Sequence, residues 1–202
     1  MSEKKTARAL MCLISILLLA GCGKKEWTGE DVGVTTLGID RDGRVLEIVV
    51  EDFGESYYDC QELRGTIESE IADYVSEAGS PEDEPPVVLN DVSESDNRVR
   101  TSILYQTPED YGAFTQETLY YGTLRQAGLR GFEMPSVLTD AEGASYTIRD
   151  EDANRHVIFT DGHDHIVTPY KIIACTKGVI LVSETEADFS GTEKRAALLL
   201  AK

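Results

Sequence analysis

Two early stretches, Val34 to Asp40 and Arg44 to Phe53, are rich in β-branched and apolar residues and predict strands. Between them stands Asp40-Arg41-Asp42-Gly43, whose Asp-Gly pair is hairpin-turn chemistry. The pattern then changes. Cys60, Leu63, Ile67, Ile71, Tyr74, Val75 and Ala78 recur at spacings of three and four, which predicts one long amphipathic helix. Asp59, three residues before Glu62, provides a capping-box-like start, and Gly79 followed by Pro81 provides the stop. Glu62, Glu68, Glu70, Asp73 and Glu77 fall on the opposite, solvated face.

Ser80 to Pro86 reads as a polar connection, followed by strands at Val87 to Val92 and Arg98 to Gln106 that turn over residues 93–97. Thr107-Pro108-Glu109-Asp110 starts a short helix: a hydroxyl cap, proline at the first position and acids in the first turn. Leu119 to Tyr121 reads as a short strand and Gly122 to Gly128 as a helical turn. The last third is strand-rich, with runs at Val137 to Thr139, Tyr146 to Arg149, His156 to Thr160, His165 to Thr168, Lys171 to Cys175, Val179 to Ser183 and Ala196 to Ala201. The fold class expected is α+β, mainly antiparallel sheet with the long helix and one or two short ones. The folded part runs over 34–202, with a subdomain division expected near 130–136.

The N-terminus follows a different rule. Lys4, Lys5 and Arg8 precede an apolar run from Ala9 to Ala20. That run is shorter than the roughly 20 apolar residues that span a bilayer, and its length matches the core of a secretory signal. It ends in Leu19-Ala20-Gly21-Cys22, which resembles the lipobox of bacterial lipoproteins. The resemblance implies a signal peptide over 1–21 and a Cys22 that becomes the lipidated N-terminus. The membrane-lipid partner is then the acyl anchor on Cys22, and the location is the extracytoplasmic face of the cell membrane. Residues 22–33 carry Trp27 and no sustained pattern, and read as a tether.

Charge alters the picture in one respect. The whole chain has a formal charge of −18, and loss of Glu3, Lys4, Lys5 and Arg8 with the signal takes it to −20. An acid excess of that size excludes a nucleic-acid partner, whose phosphates need clustered Lys and Arg. It describes a solvated surface repelled by anionic lipid.

Beyond the lipobox, several further stretches resemble a group of uncharacterised lipoproteins from clostridial Gram-positive bacteria. They are Thr36-Leu37-Gly38-Ile39-Asp40-Arg41-Asp42-Gly43, Glu51-Asp52-Phe53, Tyr57-Tyr58-Asp59 and Pro108-Glu109-Asp110-Tyr111. These motifs are structural and carry over no functional residue.

Candidate chemistry is sparse. All three histidines fall in one window, His156, His163 and His165, with Asp161 beside them. His163 and His165 at i and i+2 on a strand would share a face, and imidazole with carboxylate suits a transition metal. The competing reading is an Asp-Gly hairpin turn with polar, exposed residues. Asp40 and Asp42 lack EF-hand spacing, because Gly43 comes too early and Arg44 takes a ligand position. Once Cys12 leaves with the signal and Cys22 is lipidated, Cys60 and Cys175 are left, either to pair as a disulfide or to sit as two small hydrophobes. Templates for a nucleophile elbow, a zinc helix, a phosphate loop and a Cys-x-x-Cys pair do not occur, and no motif calls for a cofactor. A non-catalytic binding or scaffolding module at the cell envelope is therefore expected, with an envelope enzyme or metal-binding protein using His156, His163 and His165 as the alternative. No feature names a protein or cell-wall partner.

Overall fold

The computed structural model describes residues 27–80, 84–162 and 164–202. Cys22 with its lipobox, and His163, lie outside the described residues. Strands β1 (Thr36–Ile39) and β2 (Val45–Asp52) form the expected hairpin. Asp40 organises its turn: Oδ1 accepts from the Asp42 and Arg44 amides, each at 2.9 Å, and Gly43 takes φ 92°. Helix α1 (Cys60–Ala78) starts where Asp59 accepts from the Gln61 and Glu62 amides, and stops at a left-handed Gly79. Strand β3 (Val87–Ser95) runs three residues past the expected Val92, and β4 (Arg98–Tyr105) stops one residue before the expected Gln106. Their turn shrinks from the expected five residues to Asp96-Asn97, both at positive φ, as a tight hairpin requires.

Helix α2 (Pro108–Thr115) begins with the Thr107 hydroxyl accepting from the Asp110 amide. Strand β5 (Leu119–Thr123) leads into α3 (Leu124–Leu129), which a reciprocal Thr123–Gln126 capping box starts. The remainder is β6 (Val137–Asp140), β7 (Ser145–Thr147), a 3-10 turn at Asp150–Asn154, β8 (His156–Thr160), β9 (His165–Val167), β10 (Ile172–Cys175), β11 (Ile180–Ser183), β12 (Glu186–Asp188) and β13 (Ala196–Leu200). Strand β12 and the 3-10 turn were not expected from the sequence.

The strands make a seven-stranded sheet in the order β11-β12-β9-β1-β2-β4-β3 and a six-stranded sheet in the order β5-β8-β13-β10-β6-β7. Pairing among the described residues is antiparallel except between β1 and β9. The fold is α+β, mainly antiparallel and strand-rich. Each sheet draws strands from both sides of residues 130–136, so this stretch is a connection within one folded unit and not the boundary expected there.

Leu37, Ile39, Val45, Ile103 and Tyr105 of one sheet meet Ile158, Ile172, Cys175, Leu198 and Leu200 of the other in one core. On the far side of the six-stranded sheet, Phe159, Ala174, Ala197 and Leu199 are covered by Ala127 of α3 and by Phe132 and Tyr146. Burial on both faces explains why β13 reads Ala-Ala-Leu-Leu-Leu with no alternation. Ile67, Ile71, Tyr74 and Val75 of α1 pack on the main core, and Tyr74 meets Phe114 of α2 edge-on, ring centroids 5.6 Å apart.

The chain that precedes β1 covers part of the outer face of the seven-stranded sheet, over Gly38 and Ile48. A Cβ on Gly38 would lie 1.9 Å from the Trp27 ring, so the indole rests on bare backbone. A Cβ on Gly29 would lie 2.6 Å from Ile48, the Arg100 guanidinium donates to the Gly29 carbonyl, and Arg98 donates to the Gly33 carbonyl at 2.9 Å. The tether expected over 22–33 is therefore shorter, because from Trp27 onward the chain is a strap bound to the sheet.

Candidate functional site

An open cleft of about 480 Å³ lies where the β1–β2 turn, the start of α2 and the end of α3 converge over β5. Arg41 and Gly43 line one side, Thr107 and Glu109 another, Gln126 and Arg130 a third, and Tyr121 and His156 are also exposed to it. Tyr121 stacks on His156 with centroids 5.1 Å apart, and His156 leans on Tyr170 at 5.6 Å. The His156 Nδ1 lies 3.0 Å from the Lys202 carbonyl, which fixes the ring. Arg41 sits over the Tyr170 ring at 5.7 Å, a cation–π contact that holds the guanidinium at the rim. Arg130 is ion-paired with Glu109 and lies over Tyr120. Burial, followed by the Tyr170 neighbour, pushes the Tyr121 phenol well above its ordinary range, so it stays a neutral hydroxyl. The guanidiniums of Arg41 and Arg130, the carboxylates of Asp42 and Glu109 and the fixed imidazole can hold a small polar ligand by hydrogen bonds, while the Tyr121 hydroxyl itself is buried.

A second cluster is buried. Glu47 occupies an inward position of β2 and is only 8% exposed. The Tyr105 hydroxyl donates to Glu47 Oε2 at 2.7 Å, and the Tyr111 hydroxyl donates to Glu117 Oε2 at 2.6 Å. The two tyrosine rings meet edge-on at 5.2 Å. Burial pushes the Glu47 carboxyl up to about 7, with the Tyr105 hydrogen bond opposing and the charges of Asp164 and Glu117 adding to the rise. Burial likewise raises Tyr105 and Tyr111. Strand parity was the available signal: Glu47 shares its phase with Val45, whose side chain faces the core.

The structure separates the histidine window. His156 is on β8 of the six-stranded sheet, and His165 is on β9 of the other. His165 faces outward with Nδ1 3.1 Å from Glu186 Oε1 and Nε2 3.8 Å from Asp188 Oδ1, two carboxylates of the unexpected β12. Asp161 joins neither histidine. Its Oδ1 accepts from the Thr118 amide at 2.7 Å and its Oδ2 lies 3.7 Å from Arg195. Burial raises this carboxyl, but the Thr118 hydrogen bonds and Arg195 outweigh it and hold the group below the usual range. Among the described residues no cluster of three or more His, Cys, Asp or Glu could hold a metal ion.

Cys60 and Cys175 are both free thiols, which corrects the disulfide option. Cys175 lies in β10 within the main core, its sulfur 3.6 Å from the Thr139 carbonyl, and burial raises its thiol. Cys60 is half-buried at the first turn of α1.

No family model, curated protein or solved structure matches this chain.

Proposed function

We propose that the protein is an exported bacterial lipoprotein, acylated on Cys22 and held on the extracytoplasmic face of the cell membrane, where its α+β domain serves as a non-catalytic binding module. One observation carries the anchor: a basic segment, a short apolar run and Leu19-Ala20-Gly21-Cys22 follow one another in the order that export and lipidation need. Two or more acyl chains convert marginal membrane affinity into stable anchoring, since each buried methylene contributes about 0.8 kcal/mol. The open cleft between Arg41, Arg130 and Tyr121 supports the binding role. Helix α1 is the amphipathic element of this reading, with Ile67, Ile71, Tyr74 and Val75 toward the core and Glu62, Glu68, Glu70, Asp73 and Glu77 in solvent.

The decisive experiment follows metabolic labelling with a radioactive fatty acid in a bacterial host. Wild type takes up the label and shortens by its signal. Cys22→Ser stays full length and unlabelled. A Cys22→Ser protein that labels normally would overturn the reading.

A further inference from the structure

The strap and the leash in front of it constrain how an anchored molecule can lie. Trp27 rests on Gly38 of β1, and β1 is the middle strand of seven, with three strands on either side. At about 4.8 Å per strand, each lateral edge of the sheet lies about 14 Å from that seat. From Cys22 to Trp27 the chain advances five residues, a reach of at most about 16–18 Å. A leash of that length is nearly used up in passing a lateral edge, so the side bearing the six-stranded sheet, a further layer of about 10 Å away, stays turned from the anchor.

Pairing across the sheet sets out what the open face presents. Val88, Leu104, Leu46 and Gly38 are successive partners on β3, β4, β2 and β1, and Val167 follows on β9. With Trp27 over Gly38 this is an apolar row five strands wide, and its members Val88, Leu104, Leu46 and Val167 are half-buried. At the β11 edge Ile180 and Val182 are 59% and 51% exposed. Arg98 and Arg100 lie on the same face, Asp52 is 3.9 Å from Arg98, and Glu186 and Asp188 flank His165. The leash also leaves close to the β1–β2 turn, where Asp40 and Asp42 are balanced by Arg44, ion-paired with Asp40, and by Arg41, so an end-on stance there is the competing orientation.

From the leash length and the apolar row across its exit strand we infer that the open face of the seven-stranded sheet is a membrane-contact surface, lying on the headgroup layer with the cleft and α3 directed away from it. Tryptophan with half-buried aliphatics suits this interface, where an apolar body meets a wet, polar boundary. The inference rests on acylation of Cys22.

Hydroxyl-radical footprinting of the full-length, lipidated protein tests it. The lipidated wild type is reconstituted in phosphatidylethanolamine–phosphatidylglycerol vesicles and compared with the Cys22→Ser protein in buffer, after mass spectrometry has verified diacylglycerol on wild-type Cys22. Expected is at least a threefold drop in oxidation of Val88, Leu104, Ile180 and Val182 on vesicles, with Leu129 of α3 and Tyr57 unchanged. Wild type that carries lipid and binds vesicles but shows no protection of the face overturns the orientation alone. Protection centred on Arg41 and Asp42 overturns it in favour of an end-on stance. Concentration-dependent protection of the same face in Cys22→Ser without vesicles would assign the surface to a second copy. Wild type without lipid on Cys22 removes the anchor reading and the orientation with it.

Discussion

At the scale of single residues, Glu47 is the group most sensitive to conditions. Its carboxyl stands at about 7 in the fold against an ordinary 4.5, because burial penalises the charged form. A raised carboxyl favours the neutral form, so its contribution to stability is fully present below pH 4.5 and is lost as pH rises through 7. The difference amounts to about 3 kcal/mol at pH 8. Glu47→Gln keeps an acceptor for the Tyr105 hydroxyl and cannot ionise. Urea unfolding should find the variant more stable than wild type by up to about 3 kcal/mol at pH 8 and equal to it near pH 4. A gap between the two proteins that does not change with pH refutes this account. Glu47 was legible as a position and hidden as chemistry: parity points it inward, but its partner Tyr105 is 58 residues away. The histidines show the converse. Proximity in sequence suggested a cluster, and the two sheets take His156 and His165 to different faces.

At the scale of elements, what could be read was what local chemistry decides. Asp59 and Gly79 bound α1, Thr107-Pro108 starts α2, and Asp40 to Gly43 turns the first hairpin, all within a few residues of their own chain. Strand β12 was invisible because Glu186-Ala187-Asp188 has little β-propensity. It is a strand because it pairs with β9 on one side and β11 on the other. The strap was read as tether for a related reason: Trp27 and Gly29 have no pattern of their own, and the missing side chain of Gly38 is what seats them. Gly38→Ala places a methyl where the indole lies, and overpacking of this kind costs about 1–3 kcal/mol. Trp27 is the sole tryptophan, so the loss can be seen directly. Emission of Gly38→Ala should shift to longer wavelength as the ring moves into water, while far-ultraviolet circular dichroism stays that of a folded protein. An unchanged emission maximum in a folded variant would mean that the ring is not held on β1.

At the scale of the whole molecule, the order of strands decides how the protein comes apart. The main core takes residues from both sheets, and the six-stranded sheet is buried on its other face as well, so neither sheet can lose its partner without exposing apolar surface. Strand β9 inserts between β1 and β12, and β8 pairs with β5, which ties the last third of the chain to the first in one sheet and to the middle in the other. Stability that depends on contacts so distant in sequence is lost together. Urea unfolding at pH 6 should therefore give a single transition, with tyrosine signals in near-ultraviolet circular dichroism and backbone signals in the far ultraviolet sharing one midpoint. Cleavage engineered at 130–136 should leave two fragments that remain associated until that same midpoint. Two separated transitions, or fragments that part in buffer and stay folded, would restore the division near 130–136. The same connectivity bears on the proposed anchor: a leash joined to the strap on β1 would act on both sheets through the core they share, and so on the cleft beyond β5.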